Sequence, residues 1–281
     1  MTIMTSSPAL PARQIYDASK GGDPGKLILQ DGGTTQDGPA NNVYENLGIV
    51  AGFFQEQFGR QSYDGKNATL KARVHTGPGG NAYWDGLRFN FADGDASKVG
   101  DPTAVLDVVG HMYTEAVIQT TAGLELNGQS GALLMSIADV FGVLAKQKHL
   151  GQTAEKADWL VGVGLFKDKP DTGLRSIKEP SLYKHPAHMS SYVETYSDNG
   201  GVHTNCGIPS RAFYLLATDL GGQAWEAAGK IWYTALTRYA SRDTDFEGFA
   251  QATAAAAKQL FGDDHVSKVT AAWKSVGVSI G

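Results

Sequence analysis

The hydrophobic rhythm of the chain changes near its middle, and that change limits the folds open to it. From residue 212 onward, long amphipathic stretches at 225–239, 246–260 and 266–276 have the spacing of helices. Two apolar helices are expected before them, at 105–120 and 131–146. The first hundred residues read differently. Residues 1–40 are rich in Gly, Asp, Pro and Thr and read as turns with short strands such as Lys26–Gln30. Apolar positions at Tyr44, Leu47, Ala51, Phe54 and Phe58 mark one helix over 41–60. Residues 69–95 alternate and end in Ala-Asp-Gly-Asp, which predicts strands and a tight turn. A β-rich half followed by a helical half predicts an α+β protein of two lobes. The expected division is a flexible segment over 1–12, a β-rich lobe over 13–115 that ends in the helix between the lobes, and a helical lobe over 116–281.

The most specific pattern lies in the first apolar helix. Residues 107–115 read Asp-Val-Val-Gly-His-Met-Tyr-Thr-Glu. In a His-Glu-x-x-His helix, two imidazoles at i and i+4 hold zinc from one face and the Glu between them is the general base. Here His111 occupies the first ligand position, Met112 the base position and Glu115 the second ligand position. Methionine cannot accept a proton, so zinc-dependent peptide hydrolysis is not expected.

Bulk properties narrow the partners. The net charge of −5 brings no basic stripe to neutralise phosphates, which argues against nucleic acid. No run of about 18 apolar residues predicts a membrane span. The N-terminus, Met-Thr-Ile-Met-Thr-Ser-Ser-Pro, lacks the charged and apolar regions of a secretory signal. Cys206 is the sole cysteine, so no intrachain disulfide is available. A cytoplasmic protein is the expectation.

Several segments, in order, resemble the thermolysin family of metallopeptidases, especially its protealysin-type branch. They are Ser62-Tyr63-Asp64-Gly65, Asn81-Ala82-Tyr83-Trp84, the His111 segment, Thr121-Ala122-Gly123-Leu124, Gln129-Ser130-Gly131-Ala132, Asp198 to Asn205 and Trp273 to Val278. The resemblance covers roughly residues 13 to 280 and implies a thermolysin-like two-lobed fold with a cleft crossed by the His111 helix. Family members usually carry a propeptide; the chain reads as starting at the mature domain, so autoprocessing is not expected.

Carried over residue by residue, the resemblance puts Met135 at the third zinc-ligand position, where a thioether is a poor zinc donor. Asp139 matches the carboxylate that orients the first His. A residual metal site from His111, Glu115 and Asp139 is conceivable, but a hydrogen-bonded His111–carboxylate pair is preferred and no metal or other cofactor is implied. His203 matches the residue that hydrogen-bonds the oxyanion, and Asp198 the carboxylate that holds it. Arg175 matches the cleft arginine and Asn81 the substrate main-chain anchor. Tyr83, Met112, Met135 and Asp139 are expected beside the substrate, and Leu126 stands where the family has a cleft tyrosine. Glu115 is the favoured general base and Glu45, near the start of the first helix beside Gly48 and Gly52, the weaker candidate. A calcium cluster looks reduced, with Asp107 kept but Lys146 at a ligand position. His185, His188 and Cys206 are read as loop and core packing.

Three functions compete. The favoured one is a zinc-free biosynthetic protein, similar to the thermolysin-like proteins of azinomycin- and vazabitide-type pathways. Those close an aziridine by displacing sulfate from an amine carried on an amino-group carrier protein, beside a companion protein. Glu115 or Glu45 would take the amine proton, and His203 and Arg175 would hold the departing sulfate. The second is a catalytically dead pseudopeptidase that binds peptides or proteins. The third, ranked last, is a metallopeptidase with unusual ligands.

Overall fold

The computed structural model describes residues 9–20 and 22–280. Most of the expected 1–12 segment therefore lies outside the described residues. The N-terminal part is built from β1 (Arg13–Asp17), β2 (Lys26–Gln30), α1 (Gly38–Phe58), β3 (Leu70–Val74), β4 (Ala82–Trp84) and β5 (Phe89–Phe91). The strands form one sheet in the order β2-β1-β3-β5-β4, with β1, β3 and β5 parallel and the two outer strands antiparallel. β3 has the two-residue period of a sheet covered on one face, with Leu70, Ala72 and Val74 buried while Lys71 and Arg73 point away. β4 is an edge strand, and it borders the cleft.

α1 covers the sheet with Val43, Leu47, Val50, Ala51, Phe53 and Phe54. Its start is capped by Asp37, whose side chain accepts from the Ala40 N–H at 3.0 Å, and Gly59 ends it with a left-handed φ of 66°. The second oxygen of Asp37 lies 2.9 Å from His75 Nε2, and His75 Nδ1 lies 2.5 Å from Asp93. One imidazole thus ties the start of α1 to the turn after β5.

The second part holds α2 (Leu106–Gln119), α3 (Gly128–Leu150), the short hairpin β6 (Leu160–Val161) and β7 (Arg175–Ser176), then α4 (Asp198–Asn205), α5 (Gly207–Leu220), α6 (Ala227–Thr234), α7 (Phe246–Phe261) and α8 (Asp263–Ser275). The helix expected over 225–239 is shorter than its pattern: α6 stops at Thr234 and the chain winds on as a π-helical turn from Ala235 to Tyr239. α3 is long and apolar enough to cross a membrane by length and composition alone. However, 83% of that window is buried inside the protein, so it is the central helix of the core. Its Phe141 packs against Phe54, Phe58 and Tyr233, and Phe213, Trp232, Phe249 and Trp273 form a second aromatic group in the same core.

α2 and α3 meet backbone to backbone. A β-carbon on Gly110 would lie 2.7 Å from the Cα of Gly142, and one on Gly142 would strike the carbonyl oxygen of Asp107. Only glycine allows this approach. Gly142→Ala is therefore expected to lose about 1–3 kcal/mol of stability, the range for overpacking a tight contact. A denaturant titration that left its midpoint at the wild-type value would show that the helices part freely.

Candidate active site

The α2–α3 contact places two side chains face to face. His111 follows Gly110 on α2, and Asp139 sits one turn before Gly142 on α3. His111 Nδ1 is 2.7 Å from Asp139 Oδ1. The guanidinium of Arg175, on β7, grips the same carboxylate with both arms, Nε to Oδ2 at 2.6 Å and a terminal nitrogen to Oδ1 at 2.7 Å. Such paired, charge-assisted bonds are short and directional. The other imidazole nitrogen, Nε2, lies 3.5 Å from Glu115 Oε1, one turn along α2.

The network is buried, but the charges and hydrogen bonds within it decide its protonation. Desolvation alone would push His111 down; the hydrogen bond and charge of Asp139, joined by Glu115, reverse this and lift its pKa to about 9. Desolvation would likewise raise Asp139, but Arg175 and His111 hold it well below the ordinary carboxylate range. His111 is therefore a cation at neutral pH.

A cavity of about 200 Å³ opens over this network. Asn81, His111, Met112, Arg175 and His203 line it, with Val108, Val161, Leu165 and Leu174 as its apolar wall. A second cavity of about 210 Å³ is lined by Glu115 together with Trp84, Gln119, Leu124, Leu126 and Leu134. The indole N–H of Trp84 donates to the Gln119 side chain there. The His111–Glu115 pair thus spans two cavities, His111 lining the polar first one and Glu115 the more apolar second.

His203 is set by an unusual stretch of backbone. Asp198, Asn199, Gly200 and Gly201 all have positive φ, from 49° to 83°. This left-handed run, which the Asn-Gly-Gly sequence permits, turns the Asp198 carboxylate back onto the residue five ahead. One oxygen accepts from the His203 N–H at 2.8 Å and the other from its Nδ1 at 2.7 Å. Among the described residues Nε2 of His203 has no hydrogen-bond partner, and His203 lines the cavity wall.

The structure brings most of the expected residues together and separates some. Glu45 lies elsewhere, in a groove lined by Arg13, Gly48, Gly52 and Lys148. The small residues beside it make room for the Arg13 guanidinium and the Leu10 side chain, and the groove shares no lining residue with the cavity over His111. Met135 packs beneath the surface against Val202 and Cys206 and does not line either cavity. Asp139 is engaged by His111 and Arg175 and lines neither cavity. Arg175 reaches the cavity with its charge already met by Asp139, so its expected role as a free anion binder is reduced. Tyr83 stands half-exposed on β4, outside both linings. Cys206 is buried, donates to the His203 carbonyl at 3.1 Å and has its thiol pushed up to about 12 by burial. His185 is half-buried, and burial and the Arg175 charge push its pKa down. His188 caps a turn by accepting from the Ser190 N–H. The apolar walls were missed in the sequence, because Val108, Leu165 and Leu174 have the same pattern there as core residues.

The donors do not make a three-ligand zinc set. His111 Nδ1 is taken by Asp139, Met135 offers a buried thioether, and His111 and Glu115 alone remain near each other. Among the described residues no group of three His, Cys, Asp or Glu side chains is arranged to hold a metal ion. The reduced calcium cluster is filled by a side chain instead. Lys146 Nζ lies 2.8 Å from Asp107, 3.2 Å from Asp158 and 2.7 Å from the Leu160 carbonyl.

The catalytic-domain model of thermolysin metallopeptidases matches residues 14–119, and the α-helical-domain model of the same family matches 122–278. An "Extracellular metalloprotease" of Pectobacterium carotovorum is 42% identical over 95% of this chain and 81% of its own length. "Protease PrtS" of Photorhabdus is 43% identical over 95% of this chain and 76% of its own. The solved precursor of protealysin, a metalloproteinase from Serratia proteamaculans, superposes with a TM-score of 0.91 at 42% identity, covering 99% of this chain and 91% of that one. These findings correct several expectations. A zinc-free, non-proteolytic protein of aziridine biosynthesis, a sulfate-eliminating cyclase and a dead pseudopeptidase subunit all run against relatives named as proteases across nearly the whole chain. A cytoplasmic location runs against a relative named extracellular.

Proposed function

The chain belongs to the thermolysin metallopeptidase family, in its protealysin-like group, and from that membership we propose that it is a secreted peptide hydrolase whose substrate lies across the cleft. The observation that carries the reading is the convergence of Asn81, His111, Arg175 and His203 on one cavity, in a chain 42% identical to a named extracellular metalloprotease.

Each polar group has a task in this reading. The Asn81 amide, on the rim beside edge strand β4, pairs with the substrate main chain. His203, its Nδ1 held by Asp198, directs Nε2 at the carbonyl oxygen, and in its protonated form donates to the charge that develops there. Glu115 takes a proton from the attacking water and returns it to the leaving amine as the C–N bond breaks. His111 stays cationic and steadies the Glu115 carboxylate. Asp139 and Arg175 hold His111 in place.

The test is turnover of unfolded casein and fluorogenic peptides by the purified chain, with zinc added and after chelation. Cleavage is expected, and Glu115→Gln should lower turnover on the order of a hundredfold with KM little changed. Absence of cleavage under both conditions would overturn the proposal, as would full activity in Glu115→Gln. The protein should also be recovered from the medium of the cells that make it.

A further inference from the structure

A third cavity, of about 450 Å³, borders the cleft and carries a different charge. Val99 lines it, and the Val99 side chain packs in one apolar cluster with Leu165 and Leu174, which form the wall of the cleft cavity. The Gly100 N–H donates to the Leu165 carbonyl at 2.7 Å, and Val99 pairs with Phe166 across an isolated bridge. The two cavities therefore lie on either side of one apolar cluster, formed by Val99, Leu165 and Leu174. Phe166 and Tyr183 give the second an apolar body, with the Tyr183 hydroxyl fixed by the Gly173 N–H at 3.1 Å.

The rim of this cavity carries Lys98 and Lys169 against a single carboxylate, Asp168. Neighbouring Lys167 is tied to the Asp95 carbonyl at 2.6 Å. Among the described residues, neither the Lys98 nor the Lys169 ammonium has a hydrogen-bond or ion-pair partner. Within the lining two cations face one anion, while just outside it the Asp95 carboxylate is turned onto the Ser97, Lys98 and Val99 N–H groups and Asp171 follows Lys169 by two residues, on a chain whose net charge is −5. A locally positive, concave surface on an otherwise acidic protein attracts carboxylates selectively.

We propose that this cavity is a subsite that selects an acidic side chain of the peptide, a few residues from the one seated over the His111 network. Lys98 and Lys169 would hold its carboxylate, while Phe166 and Tyr183 cover its methylene stem. The inference rests on the peptide reading above and names a substrate class for it: peptides that carry Glu or Asp at one fixed offset from an apolar residue.

The test is binding, read by fluorescence anisotropy on the intact protein. Labelled heptapeptides would carry a fixed Leu and, at one, two or three residues to either side, Glu, Gln or Lys. At low salt, the Glu peptide at one offset should bind about fivefold more tightly than its Gln counterpart, and the advantage should shrink at high salt. It should vanish in Lys98→Ala/Lys169→Ala and reverse in Lys98→Glu/Lys169→Glu, which keep the apolar wall. Equal binding of Glu and Gln peptides at every offset overturns the subsite alone, as does a preference that survives the double alanine variant. If no peptide binds, the neutral ones included, the peptide reading falls and the subsite with it.

Discussion

Replacing Asp139 with asparagine is expected to destabilise the protein by about 3–5 kcal/mol, the usual effect of removing one partner from a buried charge network. The amide keeps the shape but leaves the His111 and Arg175 cations facing each other with no anion between them. The pH dependence should change as well. The folded-state pKa of His111 is raised, to about 9, so its stabilisation is complete below the unfolded value of about 6.5 and is lost as pH climbs through 9. A shift of that size corresponds to about 3 kcal/mol. Asp139 works in the opposite sense. Its folded pKa is depressed, so its contribution is present above about pH 4 and fades as pH falls further. The wild-type protein should be most stable between these limits and weaken on the alkaline side from pH 7 to 10. In Asp139→Asn that alkaline limb should flatten, since His111 has lost the group that raised it. Chemical denaturation at several pH values would check both. A wild-type curve level up to pH 10, or a variant within 1 kcal/mol of wild type, would sink the account.

Lys146→Ala is expected to be as damaging, about 3–5 kcal/mol. The ammonium stands among Asp107, Asp158 and the Leu160 carbonyl, and Asp107 is almost wholly buried. Desolvation raises the Asp107 pKa, and Lys146 is the charge that opposes it. Without that cation the carboxylate either stays ionised in an apolar setting or takes up a proton, and folding bears the difference. Lys146→Glu sharpens the test. It should be destabilised on its own, yet recover in millimolar calcium, because the substitution gathers carboxylate and carbonyl oxygens of the kind that cation prefers. A variant indifferent to calcium would show that the oxygens cannot close on an ion. An unchanged Lys146→Ala would show that the ion pair contributes nothing.

The helices were legible because their signals are local. α2 and α3 show as apolar runs without Pro, and the observed ends lie within a few residues of the expected ones. The β strands show as alternation, while their order, with β1 and β5 flanking β3, depends on pairings across tens of residues that no window holds. The site divides the same way. His111, Met112 and Glu115 fall within one helical turn of each other and are visible as a pattern. That Arg175 spends its charge on Asp139, 36 positions away, is visible only in three dimensions. Glu45 was misplaced because Gly48 and Gly52 suggest a close approach without saying of what; it is Arg13 and Leu10. The expected loss of peptidase activity rested on three altered positions, Met112 and Glu115 on α2 and Met135 on α3. The cleft is built from segments between residues 80 and 203, and similarity over 95% of the chain to named proteases weighs more than those three positions.

The glycine contact between α2 and α3 has a mechanical consequence. Two helices in backbone contact have no side-chain layer to slide on, so they move as a single strut. His111 and Asp139 are bolted to that strut within a turn of the contact, and their separation is insulated from any motion of the lobes. Arg175, clamped to Asp139 by both arms, belongs to the same fixed unit, so whatever hinge lets a substrate in must flex outside it, in the connections that carry Asn81 and His203. The fixed wall of the cleft then serves as the datum against which the moving wall closes.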